Sequence, residues 1–300
     1  MASGYFHENY AQSVKEKVQT IHLEKSCGWL LKRKIPKSDL FDAINCYPLL
    51  CCKNWEHLQS DIDNIPKNII SISIVSDPFS DLDMSRISTT FDLIKKFKQH
   101  YIVDLTTETN FSPHHKREIR RAYKKNIDIK YCNNPLEYLD TWNNLYKRLI
   151  SKHNIRGNTA FSKALFVNQF NIPGLLCFRA EINGEVVGMV LWYTSNKNAY
   201  YHLTAYSDSG YKNGASYALM NYSISFLKKL GIKLATLGAG AGLTTSANDG
   251  LSQFKSGWSH YTKPVYFLGK INNRTDYHKM ISMAQSKTSS FFPAYRQTVD

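Results

Sequence analysis

Six cations stand within the sixteen residues 111–126, FSPHHKREIRRAYKKN, and side chains of that kind at that density can hold phosphate groups. Ser112 followed by Pro113 predicts an N-cap and a first helical residue. In that helix Lys116, Arg120 and Lys124 form one row and Arg117, Arg121 and Lys125 the next, with His115, Ile119, Ala122 and Tyr123 opposite. Like charges four residues apart cost about 0.2–0.5 kcal/mol per pair, a repulsion that an anionic partner relieves. A solvated surface helix is the plainer alternative. Other chemistries are poorly provided for. The cysteines (27, 46, 51, 52, 132 and 177) show no CxxC spacing and read as reduced thiols of a cytoplasmic protein. His114 and His115 are adjacent, and His202 stands alone in a strand where packing or hydrogen bonding suits it, so no metal site is expected. No Ser-His-Asp or Cys-His arrangement is visible, and no GxGxxG or P-loop occurs.

Composition bounds the rest. With 300 residues, 43% of them hydrophobic, the chain can bury a large core, and a net charge of +14 favours phosphates, nucleotides, RNA or an anionic membrane surface as partners. No apolar run reaches the roughly 20 residues of a membrane span, and no signal peptide opens the chain. A cytoplasmic location without a transmembrane segment is expected, with peripheral contact at a membrane face left open.

The elements that must position these residues follow from periodicity and turns. Residues 1–25 predict a loose or helical lead-in, 68–76 a β-branched strand, 86–99 a helix and 101–105 a second strand, together a β-α-β module. After the basic helix come a short strand at IDIKY, a helix from Pro135 to about Lys152 and another over 160–170. Asn183-Gly184 and the turn at 196–198 divide 175–205 into a three-stranded antiparallel meander. A polar loop, YSDSGYKNGAS, then leads into a helix over 215–230, closed by Gly231, and a strand at IKLATLG completes a second β-α-β module. The glycine-rich stretch 238–250 precedes LSQFKSGWS and a last strand over 263–271. This order describes an α+β fold with a mixed sheet.

SPHHKREIRRAYKKNIDIKY, EINGEVVGMVLWY, AYYHLTAYS with its loop and helix, and FKSGW together resemble GNAT-superfamily acyltransferases of the FemAB-like and CelD-like type. The resemblance runs from about Gly28 to Ile271. It implies a GNAT-like fold of two halves: a lead-in over 1–27, a degenerate and shortened N-terminal half over 28–110, a main domain over 111–272 with the basic helix 112–126 as junction, and a tail over 273–300. It implies acyl-CoA (acetyl-CoA) as donor, its pyrophosphate at the helix entry formed by Tyr206, Tyr211, Gly214, Ala215 and Ser216, where Gly214 is retained from the family signature and Tyr211 and Ser216 are replacements. It implies that Phe254-Lys255 correspond to the Phe-Lys of Fem-type transferases, the lysine stabilising negative charge on the reacting carbonyl. Asp249 ranks first as general base, ahead of Tyr206 and Asp208. Lys116, Arg117, Arg120, Arg121 and Lys124 would position substrate. The implied activity is N-acyl transfer to an amine of a sugar, peptide or metabolite, some of them phosphorylated, by direct aminolysis. Transfer of an amino acid from charged tRNA, with the basic helix on the RNA, is the alternative, and a non-catalytic binder of nucleic acid or anionic surfaces is a third.

Overall fold

The computed structural model describes residues 2–16, 19–108, 110–240, 249–284 and 291–296. The chain divides into two compact units, a larger one of Met1–Ser13 with Gln99–Lys263 and a smaller one of Val14–Lys98 with Pro264–Asp300. Helix α1 (Glu8–Gln12) belongs to the larger unit. The smaller unit then takes β1 (Gln19–Leu23), β2 (Gly28–Lys34), β3 (Phe41–Asn45), α2 (Leu58–Asp63), β4 (Ile69–Val75), α3 (Met84–Thr90) and the start of β5 (Leu93–Asp104). From Gln99 the larger unit resumes with α4 (Pro113–Tyr123), β6 (Asp128–Tyr131), α5 (Leu139–His153), α6 (Lys163–Phe170), β7 (Leu175–Ile182), β8 (Glu185–Ser195) and β9 (Asn198–Tyr206). It continues through α7 (Asp208–Asn213), α8 (Ala215–Lys229), β10 (Leu234–Thr236), α9 (Gly250–Ser256) and the start of β11 (Tyr261–Ile271), whose end and α10 (Arg274–Met283) return to the smaller unit.

In the smaller unit the strands run β1-β2-β3-β4-β11, parallel only between β3 and β4. Strand β4, IISISIV, is buried over six of its seven residues, which suits a β-branched run packed on both faces. Three expectations fail here. Residues 19–23, read as part of a loose or helical lead-in, form β1, whose alternating side chains pair with β2. The helix predicted over 86–99 stops at Thr90, where Thr89 and Thr90 hydroxyls bond back to the Arg86 carbonyl at 2.8 Å and Phe91 turns extended, and 93–104 is strand instead. Lysine stems alternating with Phe97 satisfy a half-exposed strand as well as a helix, and the backbone bond from Asp92 to Gly269 decides for the sheet. Moreover β4 neighbours β3 and β11, so 68–105 is not a β-α-β unit. The parallel pair is β3 and β4, joined through α2.

The larger unit orders its strands β5-β10-β9-β8-β7-β6, parallel only between β10 and β9. The meander β7-β8-β9 forms as the Asn-Gly signal predicts, with Asn183 at φ 52° and Gly184 at φ 83°, the left-handed pair that a two-residue hairpin turn requires. Helix α8 buries Ala218, Leu219, Ile224 and Leu227 against Phe178, Val190 and Trp192 of the sheet. Helix α4 docks beside α8 through Ala122, where a Cβ on Gly214 would stand 3.5 Å from the Ala122 methyl. Helices α5 and α6 pack together through Trp142, Tyr146 and Phe166. Among the described residues no helix is long and apolar enough to cross a membrane.

Candidate active site

Strand β9 organises the site through a break in its register. Trp192 pairs with Tyr201 and Leu191 with Leu203, so His202 is an extra residue, a β-bulge that strand propensity could not reveal. Beside it, burial pushes the hydroxyls of Tyr201 and Tyr206 up, so both stay neutral. The buried His202 bonds to Tyr5 Oη at 2.9 Å through Nδ1 and to Gln169 Oε1 at 3.1 Å through Nε2. Because the amide oxygen only accepts, Nε2 carries the proton and the Tyr5 hydroxyl donates to Nδ1. Burial lowers the His202 pKa to about 3, which holds the ring neutral.

The partner strand leaves β9 early. Strand β10 pairs with β9 only at Asn198, Ala199 and Tyr200, and the chain beyond it stays with β5 through Leu237 N–H to the Tyr101 carbonyl (2.9 Å) and Tyr101 N–H to the Gly238 carbonyl (3.1 Å). The two strands therefore separate beside Tyr201. Lys255, only 7% exposed, stands at this opening from α9: its Nζ donates to the Ala239 carbonyl at 2.6 Å and lies 5.9 Å from the Tyr201 ring centroid. A buried ammonium in a gap between strands is poised to meet a ligand oxygen as well as the carbonyl it already holds.

Asp249 caps α9, accepting from Ser252 N–H at 2.8 Å and from the Ser252 hydroxyl at 2.6 Å. The C-terminal end of the helix is held by α4. His115 Nε2 donates to the Phe254 carbonyl at 2.8 Å, its Nδ1 accepts from the Ser112 hydroxyl at 2.8 Å, and Ser112 N–H donates to the Gly257 carbonyl at 3.0 Å. Gly257 must lack a side chain, since a Cβ there would stand 2.1 Å from His115 Cε1. Phe254, Tyr217 and Trp258 close around the imidazole, and desolvation lowers its pKa. SPHH and FKSGW are thus two halves of one clasp that aims Lys255, a pairing no spacing rule discloses.

The loop residues expected to hold a pyrophosphate are arranged differently from an open loop. Residues 208–213 form α7, which engages the N–H groups of Gly210 (to Ser207 Oγ, 3.1 Å), Tyr211 (to the Ser207 carbonyl, 3.0 Å) and Gly214 (to the Tyr211 carbonyl, 3.2 Å). Gly214 takes the left-handed φ of 76° that joins α7 to α8, Ala215 is buried, and Ser216 lies in the first turn of α8. Tyr211 stacks edge-on to Tyr206 at 5.2 Å and carries Lys152 Nζ 4.0 Å from its ring centroid. A cavity of about 550 Å³ opens here between α5 and α7, with Lys147, Arg148 and Lys152 in its wall, none of which the sequence reading singled out. The α4 cations are exposed: Lys116 reaches Asn110 at 2.8 Å, Arg120 Nε the Lys116 carbonyl at 3.2 Å, Arg117 and Arg121 both reach Glu118, and Lys124 ends the helix. The helix thus presents its charge outward, while Ser112 and His115 at its start link it to the helix that carries Lys255. Among the described residues no group of three or more His, Cys, Asp and Glu could hold a metal ion, and 241–248 of the glycine-rich stretch lie outside those residues.

Residues 113–255 match the acetyltransferase (GNAT) domain family. No curated protein matches the chain in sequence. Three solved structures share its fold. FemX superposes with a TM-score of 0.68 at 14% identity over 91% of this chain and 93% of its own. The C-terminal domain of a putative lysylphosphatidylglycerol synthetase from Agrobacterium fabrum gives 0.67 at 13% identity, covering 92% and 89%. L-PGS from Bacillus licheniformis gives 0.66 at 14%, covering 88% and 87%. Together with the separated strands β9 and β10, the match identifies residues 113–255 as a GNAT-superfamily acyltransferase domain, in a chain that shares the fold of FemX and the lysylphosphatidylglycerol synthetases.

Proposed function

We propose that the chain is a Fem-type aminoacyltransferase, which moves an amino acid from the ester of a charged tRNA to an amine acceptor. The observation that carries the reading is Lys255, buried beside the gap between β9 and β10 on a helix locked at both ends. In the reaction the acceptor nitrogen attacks the ester carbonyl, a C–N bond forms, and the carbonyl oxygen takes the negative charge that Lys255 stabilises. The C–O bond to the ribose then breaks and the proton lost by the amine ends on the departing hydroxyl oxygen. A fixed cation in a dry site is worth about 2.7–4 kcal/mol of transition-state stabilisation, judged by the loss of one oxyanion donor elsewhere. Phe254 packs against His115, Tyr217 and Trp258 and so helps to seat α9, and we assign Asp249 the positioning of the same helix, its two oxygens being held by Ser252. Lys116, Arg117, Arg120, Arg121 and Lys124 would follow the RNA backbone, and the cytoplasm, where charged tRNA is made, is the proposed location.

The same fold leaves acyl-CoA as the second donor, with the acceptor again an amine. Helix α7 argues against it, because three N–H groups at the expected pyrophosphate loop serve α7 itself and Asp208 adds a negative charge. We also read the smaller unit as a degenerate GNAT-like half. The antiparallel run β1-β2-β3, then α2 and the parallel β4, repeats the order β7-β8-β9, α8 and β10, with a six-residue helix in place of fifteen.

The test is transfer of a radiolabelled amino acid from a pool of charged tRNAs to amine acceptors, run beside acetyl-CoA and longer acyl-CoAs. Transfer from tRNA that vanishes in Lys255→Met supports the proposal. Transfer from acyl-CoA alone would sink the tRNA reading and establish the second.

A further inference from the structure

We propose that the cavity between α5 and α7 is the site of the donor's nucleotide phosphate, an assignment that rests on the transfer reading above. A volume of about 550 Å³ falls in the usual range of ligand sites, roughly 300–1,000 Å³. Its wall sets three cations, Lys147, Arg148 and Lys152, against one carboxylate, Asp208. Among the described residues none of the three cations makes an ion pair with an acid. Arg148 and Lys152 lie four residues apart on α5 and repel each other without relief. The C-terminal dipole of α5 accounts for Lys152 in the last turn but not for Lys147 and Arg148 a turn earlier.

The remaining wall supplies a surface for a planar ring. Tyr211 is 39% exposed, rests against Tyr206 and is covered on one side by Lys152, so aromatic and cationic groups converge within one opening. Helix α7 is seated firmly, because a Cβ on Gly210 would stand 2.1 Å from the Val187 carbonyl oxygen. Tyr206 also ties the cavity to the chemistry: it lies on β9 with Tyr201, above which Lys255 lies. A ligand with its phosphate on the α5 cations and a base on Tyr211 therefore has its reactive end directed along β9 toward Lys255. An adenine nucleotide has this chemistry, and it terminates both tRNA and coenzyme A. Asp208 at the rim can accept from the exocyclic amino group of the base.

Isothermal titration with adenosine 5′-monophosphate, a CCA-ended RNA tetranucleotide and coenzyme A tests the assignment. At least one probe is expected to bind, and Arg148→Gln with Lys152→Gln should weaken it tenfold or more. For the RNA the salt dependence, log K against log salt, should flatten by about 1.4, at roughly 0.7 per cation on a single strand. Tyr211→Leu should weaken binding and leave that slope unchanged. Preference for the RNA names tRNA as the source of the nucleotide, and preference for coenzyme A names the thioester donor. Circular dichroism and melting confirm that each variant is folded. Failure of all three probes, or unchanged affinity and slope in the folded double variant, overturns the assignment. If the wild type binds a probe and the double variant does not, yet no amino acid or acyl group is ever transferred, the cavity stands and the activity reading falls.

Discussion

Replacing His202 by Gln should make the fold less sensitive to acid. The ring is buried among Tyr5, Tyr10, Phe161 and Tyr193, with Gln169 and the Tyr5 hydroxyl as polar partners. Its pKa is lowered to about 3 from the ordinary 6.5, with desolvation as the cause. A depressed histidine is neutral in the native state and protonated in the unfolded chain over the window between those values. The unfolded state therefore binds more protons there, and stability falls as pH drops below about 6.5. Between pH 7.5 and 5.0 the loss is about 1.5 pH units' worth of linkage at 1.36 kcal/mol each, or about 2 kcal/mol. His115 is lowered by desolvation as well and contributes with the same sign, but it is present in both proteins and cancels in the comparison. Urea unfolding at the two pH values measures the difference. Wild type should lose about 2 kcal/mol more than His202→Gln on acidification. Equal losses in the two proteins would refute the argument that a neutral His202 holds the bulge.

Lys255→Met is expected to lower the rate of transfer about 10²–10³-fold while leaving RNA binding nearly intact, read as a fall in kcat with little change in KM. Gly257→Ala should cost about 1–3 kcal/mol in a thermal melt, because the new methyl displaces the His115 ring from the Phe254 carbonyl. Asp42→Ala should destabilise the smaller unit by about 3 kcal/mol, since the buried carboxylate pairs with Arg33 at 2.8 Å and Arg296 at 2.7 Å and its loss strands two half-buried guanidinium groups. A denaturant midpoint unchanged from wild type would show that solvent replaces those partners.

Local signals were legible where one residue type had one geometric use. Asn183-Gly184 announced its hairpin, Ser112-Pro113 its helix start, and the apolar spacing of 139–149 its helix. Phe254-Lys255 could be singled out because the pair resembles a Fem-type motif, and the lysine stands buried at the opening beside β9. What escaped depends on register and on distant contacts. The bulge at His202 leaves no mark in composition, although it decides that Trp192 faces Tyr201 and Leu191 faces Leu203. His115 looked like one apolar seam residue of a charged helix, and its partner carbonyl at Phe254 is 139 positions away. Lys147, Arg148 and Lys152 carry no spacing that separates them from the solvated cations of any amphipathic helix. Only the return of β9 and α7 beside them makes a cavity.

On the proposed duplication, the two units also explain why one of them holds the chemistry. In the larger unit β9 and β10 pair at three residues and then part, so that an ammonium stands between the chain after β10 and Tyr201. In the smaller unit β3 pairs with β4 from Phe41 to Ile44, and the chain after β3 remains beside β4, with Leu50 N–H on the Val75 carbonyl at 2.8 Å and a parallel bridge between Leu50 and Ser76. Backbone groups that could receive a ligand in an open gap are there engaged with each other. Its short α2 lacks the nine further residues that α8 has over α2, fifteen against six, and cannot cover as much of its sheet. An unpaired gap is costly in backbone hydrogen bonds unless a ligand or a side chain fills it, and Lys255 fills it in the larger unit. Closing the smaller unit's strands removes that cost, which is the expected fate of a half released from catalysis.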